Sequence, residues 1–327
     1  MFRRMSRRSG LRELVALLMI LAIGLSFTAA AVQKKAKKKK ATPTGTPVLW
    51  REPEDIASRD LLLGPGGEAM KPDLSRVTFI KEETGGTNKK YRVRDAAGRE
   101  WVAKLGKEAQ SETAAVRLLW AVGYVTEINY HAPRVNIEGK GSFEDVRFEA
   151  RPKGVKRLDE WKWEKNPFTG KREFQGLKVM MLLINNWDIK DANNKIFHVK
   201  NDQTGEEELQ YVISDLGATF GKTGSLPVFW RITRSRNDPK AFADATFVED
   251  VKKGYVFFKY GGKMQDIFED ISVEDVRWIA ALLTRLSDQQ IADAFRAADY
   301  TPEEIDILAG AVRARIGELA NLPPESN

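Results

Sequence analysis

Two short stretches concentrate the polar chemistry of the chain. Asp188-Ile-Lys-Asp-Ala-Asn193 is followed, after a charged hairpin, by Tyr211-Val-Ile-Ser-Asp215-Leu-Gly217. Upstream, Lys104 ends a β-type run, Trp101-Val-Ala-Lys. Phosphoryl transfer from a nucleotide calls for groups of this kind: a carboxylate to orient or deprotonate a hydroxyl acceptor, hard oxygen ligands for Mg²⁺, and a cation on the phosphates. Asp188 is the candidate carboxylate, Asn193 and Asp215 are candidate Mg²⁺ ligands, and Lys104 can reach the phosphates as a point charge. Each residue also has a plainer reading. Asp188 and Asn193 suit an Asp/Asn-rich turn, and Lys104 on its own suits a surface. The conjunction of the four favours the chemical reading. An EF-hand calcium loop fits poorly, because the glycine at its sixth position is missing.

The elements that must position these groups begin at Arg76. Val77–Ile80, Tyr91–Val93 and Trp101–Ala103 are short β-type runs, separated by Gly85-Gly86 and Ala96-Ala97-Gly98. Glu108 to Val122 places Ala114, Ala115, Leu118, Leu119 and Val122 at helical spacing. Strand-like runs follow around Val125–Tyr130 and Val146–Phe148. An antiparallel sheet with one early helix is the expected assembly. Gly176 to Asn185 is apolar nearly all round, as expected of a core helix. It leads into the polar loop that carries Asp188, and two strands, Lys195–Val199 and Leu209–Ser214, come next. Near the C-terminus, Ser272-x-x-Asp275, Ser287-x-x-Gln290 and Thr301-Pro-Glu-Glu304 read as helix starts.

In this order the motifs resemble the protein-kinase-like superfamily over roughly residues 76–290. Asp188-x-Lys-x-x-Asn193 with Asp215-Leu-Gly217 resembles its catalytic and metal-binding loops, and Trp101-Val-Ala-Lys104 its strand-three lysine motif. Glu112 resembles the helix glutamate that pairs with that lysine; Glu108, four residues earlier on the same face, is the competing partner. Gly85-Gly86 resembles the loop over the phosphates, with a plain hairpin turn as the rival reading. The resemblance implies an α+β, two-lobed fold, with an N-terminal antiparallel sheet bearing one helix and a mainly helical C-terminal lobe. It implies ATP and Mg²⁺ as cofactors, and places Lys190 beside the transferred phosphate. There are departures. Asn186-Trp187 stands where His-Arg would precede Asp188, the interval from Lys104 to Glu112 is only eight residues, no Ala-Pro-Glu follows Asp215, and the glycine loop is incomplete. These features resemble atypical branches: HipA-like kinases, phosphatidylinositol kinases and secreted kinases of the CotH type.

Composition bounds the alternatives. The chain has 327 residues, 42% of them hydrophobic, which suits a folded body with a real core. With no cysteine and only His131 and His198, disulfide frameworks, thiolate or multi-histidine metal sites and cysteine nucleophiles are excluded. His198 is expected to pack on the strand after the catalytic loop, and most of the eight tryptophans to pack in cores. The formal charge of +7 suggests a nucleic-acid binder, yet residues 41–327 carry 42 basic and 45 acidic side chains, a net of −3. A basic nucleic-acid-binding body is therefore not supported.

The excess positive charge lies in residues 1–40. An Arg-rich start precedes the uncharged run Leu14–Val32, and Ala29-Ala30-Ala31 is a small-residue cleavage pattern. Residues 1–31 read as a signal peptide, with a retained membrane anchor over 14–32 as the rival. Residues 32–47, with Lys34–Lys40, read as a basic flexible tether able to meet an anionic membrane surface. Because such positive charge resists translocation, the side on which the body lies stays open. Residues 48–75 read as a lead-in, 76–150 as a nucleotide-binding N-lobe, and 151–327 as a helical C-lobe with the catalytic and metal-binding loops. The expectation is an exported or membrane-tethered kinase-like protein that transfers the ATP γ-phosphate to a hydroxyl of a protein, lipid or small molecule. A weak or inactive pseudokinase-like scaffold in the cell envelope is the alternative.

Overall fold

The computed structural model describes residues 43–84, 88–224 and 233–324. The N-terminal segment that reads as a signal or anchor, and Gly85-Gly86, lie outside the described residues. Among the described residues no helix is long and apolar enough to cross a membrane.

Strands β2 (Val77–Glu83), β3 (Lys90–Arg94), β4 (Glu100–Leu105), β5 (Asn129–Glu138) and β6 (Gly141–Ala150) make the N-terminal sheet; β1 (Thr46–Val48) precedes them and pairs elsewhere. The sheet runs antiparallel in the order β2-β3-β4-β6-β5 and then closes on itself, because Val77 and Thr78 pair in parallel with Ile137 and Glu138. The expected antiparallel sheet is thus a small barrel, closed by two parallel residue pairs. Period-two alternation sorts its side chains. Tyr91, Val93, Trp101, Ala103, Val146 and Phe148 pack the interior, while Val102, Lys104, Arg147 and Glu149 face an interlobe cleft. Helix α1 (Glu108–Ala121) packs against this barrel. It is too thoroughly buried for a surface helix: Glu112, Thr113 and Arg117 are as hidden as its alanines and leucines.

The C-lobe is built around α2 (Arg172–Leu183), which is buried from Phe174 to Leu183. At its end Asn185 takes a left-handed conformation (φ 51°). Asn185 donates to the Gly221 carbonyl (2.7 Å) and accepts from Arg315 (3.0 Å), so the chain turns into the polar loop at a fixed angle. The loop closes in a short 3₁₀ turn at Asp191–Asn193 and runs into β8 (Asn194–Lys200), which pairs antiparallel with β9 (Glu207–Ile213). A two-residue strand, β7 (Lys156–Arg157), flanks β8, and β1 pairs in parallel with β9. Helix α3 (Pro239–Ala243) and the hairpin β10 (Val248–Lys252)–β11 (Tyr255–Phe258) precede α4 (Val273–Leu283), α5 (Asp288–Arg296) and α6 (Pro302–Ala320). Each of these last three helices starts in a full capping box, at Ser272, Ser287 and Thr301.

Residues 48–63 bind both lobes. The Trp50 indole donates to the Val122 carbonyl (2.7 Å) and meets Trp278 of α4 edge-on at 5.2 Å. Ile56 and Leu61 are fully buried. The Gln290 side-chain amide of α5 donates to the carbonyls of Ile56, Ala57 and Arg59.

Candidate active site

The two lobes enclose a cleft of about 1400 Å³. It is lined by ten basic and six acidic side chains, a positive excess in a body that is itself slightly acidic. Such a field favours a polyanionic ligand.

Lys104 stands at the end of β4, on the cleft face. Its Nζ is 2.9 Å from Glu112 Oε2, 3.7 Å from Glu108 and 3.5 Å from Asp215 Oδ1. Glu112 is thus the nearer of the two candidate partners. Burial disfavours the ammonium charge, but Glu112 and Asp215 outweigh it and hold the Lys104 pKa above its ordinary value. Glu112 is fully buried; burial pushes its carboxyl up, while Arg147 and Lys104 pull it back. Ser111 Oγ donates to the Gly217 carbonyl (2.9 Å), which ties α1 to the Asp215-Leu-Gly217 segment.

Asn193 and Asp215 approach through the β8–β9 ladder. Asn194 pairs with Ile213, and the Ser214 N–H donates to the Asn193 carbonyl (2.7 Å), so the two hard-oxygen residues end adjacent strands at the same level. The Asn193 side-chain amide donates to the Asp188 carbonyl (2.8 Å) and braces the loop from inside. One carboxylate and one amide oxygen fit Mg²⁺, which keeps its remaining coordination for water and substrate phosphate. Among the described residues no cluster of three or more acidic or histidine side chains offers a denser metal cage.

Asp188 has both oxygens engaged, Oδ2 by Lys190 (2.7 Å) and Oδ1 by Lys263. Partial burial opposes its charged form, yet those two hydrogen bonds keep its carboxyl below the usual aspartate range. Trp187, just before it, is covered by the guanidiniums of Arg234 and Arg236 at 4.4 and 4.8 Å from the ring centre, and its indole donates to the Ser235 carbonyl (2.8 Å). The structure therefore gathers Lys104, Glu112, Asp188, Lys190, Asn193 and Asp215 around one cleft. Gly85 and Gly86 lie outside the described residues. His198 sits on β8 with Nε2 2.8 Å from Glu207, and does not line the cleft.

Two groups escape a reading of the sequence. Lys263 follows Gly261-Gly262, and its N–H donates to the Trp187 carbonyl (3.0 Å). A Cβ on Gly262 would lie 2.8 Å from Trp187 Cα, so only glycine lets this segment approach so closely. The Gly-Gly-Lys run is the sole sequence signal, and it says nothing of the partner. The second group is a charged wall behind Lys104. Arg147 binds Glu112 (3.0 Å) and Glu149 (2.9 Å), and Glu149 also binds Arg151 and Arg157. Glu127 accepts from Ser214 Oγ (2.6 Å) and pairs with Arg157 (2.9 Å). Burial and the adjacent Glu149 push Glu127 up to about 7. Burial also opposes ionised Glu149, but Arg151, Arg147 and Arg157 hold its carboxyl well below the ordinary range. In sequence, Val-Arg-Phe-Glu resembles a strand with one solvated face; here that face is the cleft wall.

No protein-family model and no curated protein matches the chain. Solved structures overlay on it at low identity. The kinase CtkA of Helicobacter pylori aligns at 10% identity and TM-score 0.47, over 76% of this chain and 96% of its own. The Rio2 kinase of Chaetomium thermophilum, solved with ADP/Mg²⁺ and phosphoaspartate, aligns at 10% identity and TM-score 0.32, over 76% and 74%. A Golgi casein kinase aligns at 12% identity and TM-score 0.37, over 77% and 72%. In element order the chain is a small closed sheet with one helix followed by a mainly helical lobe.

Proposed function

We propose that this chain is an ATP-dependent phosphotransferase that uses Mg²⁺ and a hydroxyl acceptor. The observation that carries the reading is Lys104, whose ammonium lies between Glu112 of α1 and Asp215 of the β9 loop and so joins both lobes at one charge. In this reading Lys104 binds the phosphates and Glu112 orients it. Asn193 and Asp215 would hold Mg²⁺, which when bound neutralises phosphate charge. Asp188 takes the proton of the acceptor hydroxyl as its oxygen bonds to the γ-phosphorus and the bridging oxygen leaves with ADP. Lys190 and Lys263, already beside Asp188, meet the charge that develops on the transferred group.

A thermal-shift titration followed by transfer from γ-labelled ATP tests this. Mg²⁺-ATP at a hundred times its Kd should stabilise the wild type by about 2.7 kcal/mol, and Lys104→Met should abolish the shift. Asp188→Ala should bind and fail to transfer. A wild type indifferent to Mg²⁺-ATP, or an Asp188→Ala protein that transfers at the wild-type rate, refutes the assignment. A second reading, a nucleotide-binding scaffold without turnover, draws on the capture of both Asp188 oxygens by lysines; binding without transfer to any acceptor distinguishes it. We further place the body in the cell envelope, supported by the Arg-rich start, the apolar run 14–32 and the lysine tether. Protease accessibility of the body in intact cells and spheroplasts tests that placement.

A further inference from the structure

Lys104 and Arg147 stand directly opposite one another in the β4–β6 ladder, on the same face and both buried. Like charges opposed across a ladder repel, and burial strengthens the repulsion. Glu112 separates them, with one oxygen for each cation: Oε2 to Lys104 at 2.9 Å and Oε1 to Arg147 at 3.0 Å. We infer that Arg147 is a positioning residue for phosphoryl transfer, sharing Glu112 with Lys104 so that α1 stays seated without an activating partner. The catalytic part of this inference rests on the phosphotransferase reading; the seating of α1 does not.

An outward swing of α1 would break two buried pairs at once and leave two cations facing each other. Opening one of a pair of buried charges already carries a heavy penalty. The neighbourhood reinforces the lock. Glu149 meets the same Arg147 nitrogen as Glu112, Nη2, at 2.9 Å, and Glu127 lies 3.8 Å from Nη1 while receiving the Ser214 hydroxyl, next to Asp215. Ser111, beside Glu112, holds the Gly217 carbonyl. Lower on α1, Arg117 binds the side-chain and backbone oxygens of Asn129 at 2.8 and 3.0 Å. Arg147 thus links the glutamate of α1 to the strand end that delivers the metal-binding aspartate.

The test is hydrogen exchange on the full chain, comparing wild type, Arg147→Met and Arg147→Lys, with phosphotransfer kinetics alongside. Methionine keeps most of the volume and removes the charge; lysine restores a charge to Glu112 with fewer donors. In Arg147→Met, exchange over residues 108–121 should rise on the order of tenfold while α6 keeps its protection. Turnover should fall on the order of tenfold or more with little change in the KM for ATP. Arg147→Lys should recover a large part of both. Wild-type α1 protection in Arg147→Met overturns the inference. So does an equal loss of protection in α6, which would mark a general structural role, and so does an Arg147→Lys protein no better than Arg147→Met. If Arg147→Met does not fold, Arg147→Gln, which keeps a donor and removes the charge, takes its place in the exchange comparison, and wild-type α1 protection there refutes the shared-charge lock. Absence of turnover in the wild type itself, with α1 protection still dependent on Arg147, refutes only the phosphotransferase reading.

Discussion

Replacing Gln290 by glutamate separates two jobs done by one side chain. In the native protein Gln290 Oε1 accepts the Ser287 N–H (3.0 Å) as part of the α5 capping box. Its Nε2 donates to the carbonyls of Ile56 (2.7 Å), Arg59 (2.9 Å) and Ala57 (3.3 Å). Glutamate keeps the cap and turns the donor into an acceptor pointed at three carbonyls. The Ile56 carbonyl is buried and keeps only the Arg59 N–H (3.2 Å) once the amide is gone, and loss of that second donor costs about 1 kcal/mol. The two partly buried carbonyls add about 1 kcal/mol together, and the desolvated new charge adds more. A loss of about 3 kcal/mol follows, or about 5–10 °C in melting temperature for a body of this size. Burial favours the protonated carboxyl in the folded state. The deficit is therefore full at pH 7 and shrinks as the pH falls and the acid regains a donor. Guanidinium denaturation monitored by tryptophan fluorescence at pH 7 and pH 5 measures both effects. A Gln290→Glu protein within about 1 kcal/mol of wild type at pH 7 would show that residues 56–59 are not braced by this amide.

Lys263→Met should leave Mg²⁺-ATP binding near wild type and lower turnover on the order of a hundredfold; it should also let the Asp188 carboxyl rise, moving the acid limb of the pH–rate profile to higher pH. Wild-type turnover with an unmoved limb would remove Lys263 from the site. Burial lowers His131 to about 4 from the usual value near 6.5. Below pH 6.5 the unfolded chain takes up this proton first, so about 3 kcal/mol of stability is lost between pH 6.5 and 4. His131→Gln should flatten that part of the stability curve, and an unchanged slope would assign the acid loss elsewhere. Gly176→Ala would drive a methyl into the Trp278 ring and to 2.7 Å from the Tyr124 hydroxyl. The overpacking costs about 1–3 kcal/mol, and an alanine variant that melts at or above the wild-type temperature refutes this close contact.

Much of the positioning machinery is legible in local sequence, because it depends on periodicity and caps. Trp101-Val-Ala is a short apolar run of the kind a buried strand carries, and the three C-terminal capping boxes fall where Ser272, Ser287 and Thr301 announce them. Apolar spacing also finds α1. Helix α2 begins at Arg172 rather than Gly176, since Arg172, Glu173 and Gln175 interrupt the apolar run around Phe174. β5 spans Asn129–Glu138 instead of ending at Tyr130. Pro133 looks like a strand breaker, but the ladder only passes over its rung, pairing Ala132 with Val146 and Arg134 with Glu144. Barrel closure rests on two residue pairs about sixty positions apart, and such pairing leaves no local mark. Arg147 and Lys263 stay hidden for a related reason. Their roles arise from which face a strand turns inward and how closely a glycine pair can approach, and both are set by tertiary packing.

The brace formed by residues 48–63 has a consequence for how the chain is made. A chain emerging N-terminus first presents Trp50 and Ile56 long before their C-lobe partners exist, because Trp278 lies 228 positions beyond Trp50 and Gln290 lies 234 positions beyond Ile56. Local elements such as the β5–β6 hairpin can form early, but the seat of the first segment is completed only when nearly the whole sequence is available. Such long-range closure slows folding. It also makes premature termination costly: a product ending before residue 288 lacks α5 and leaves the carbonyls of Ile56, Ala57 and Arg59 without the Gln290 donor.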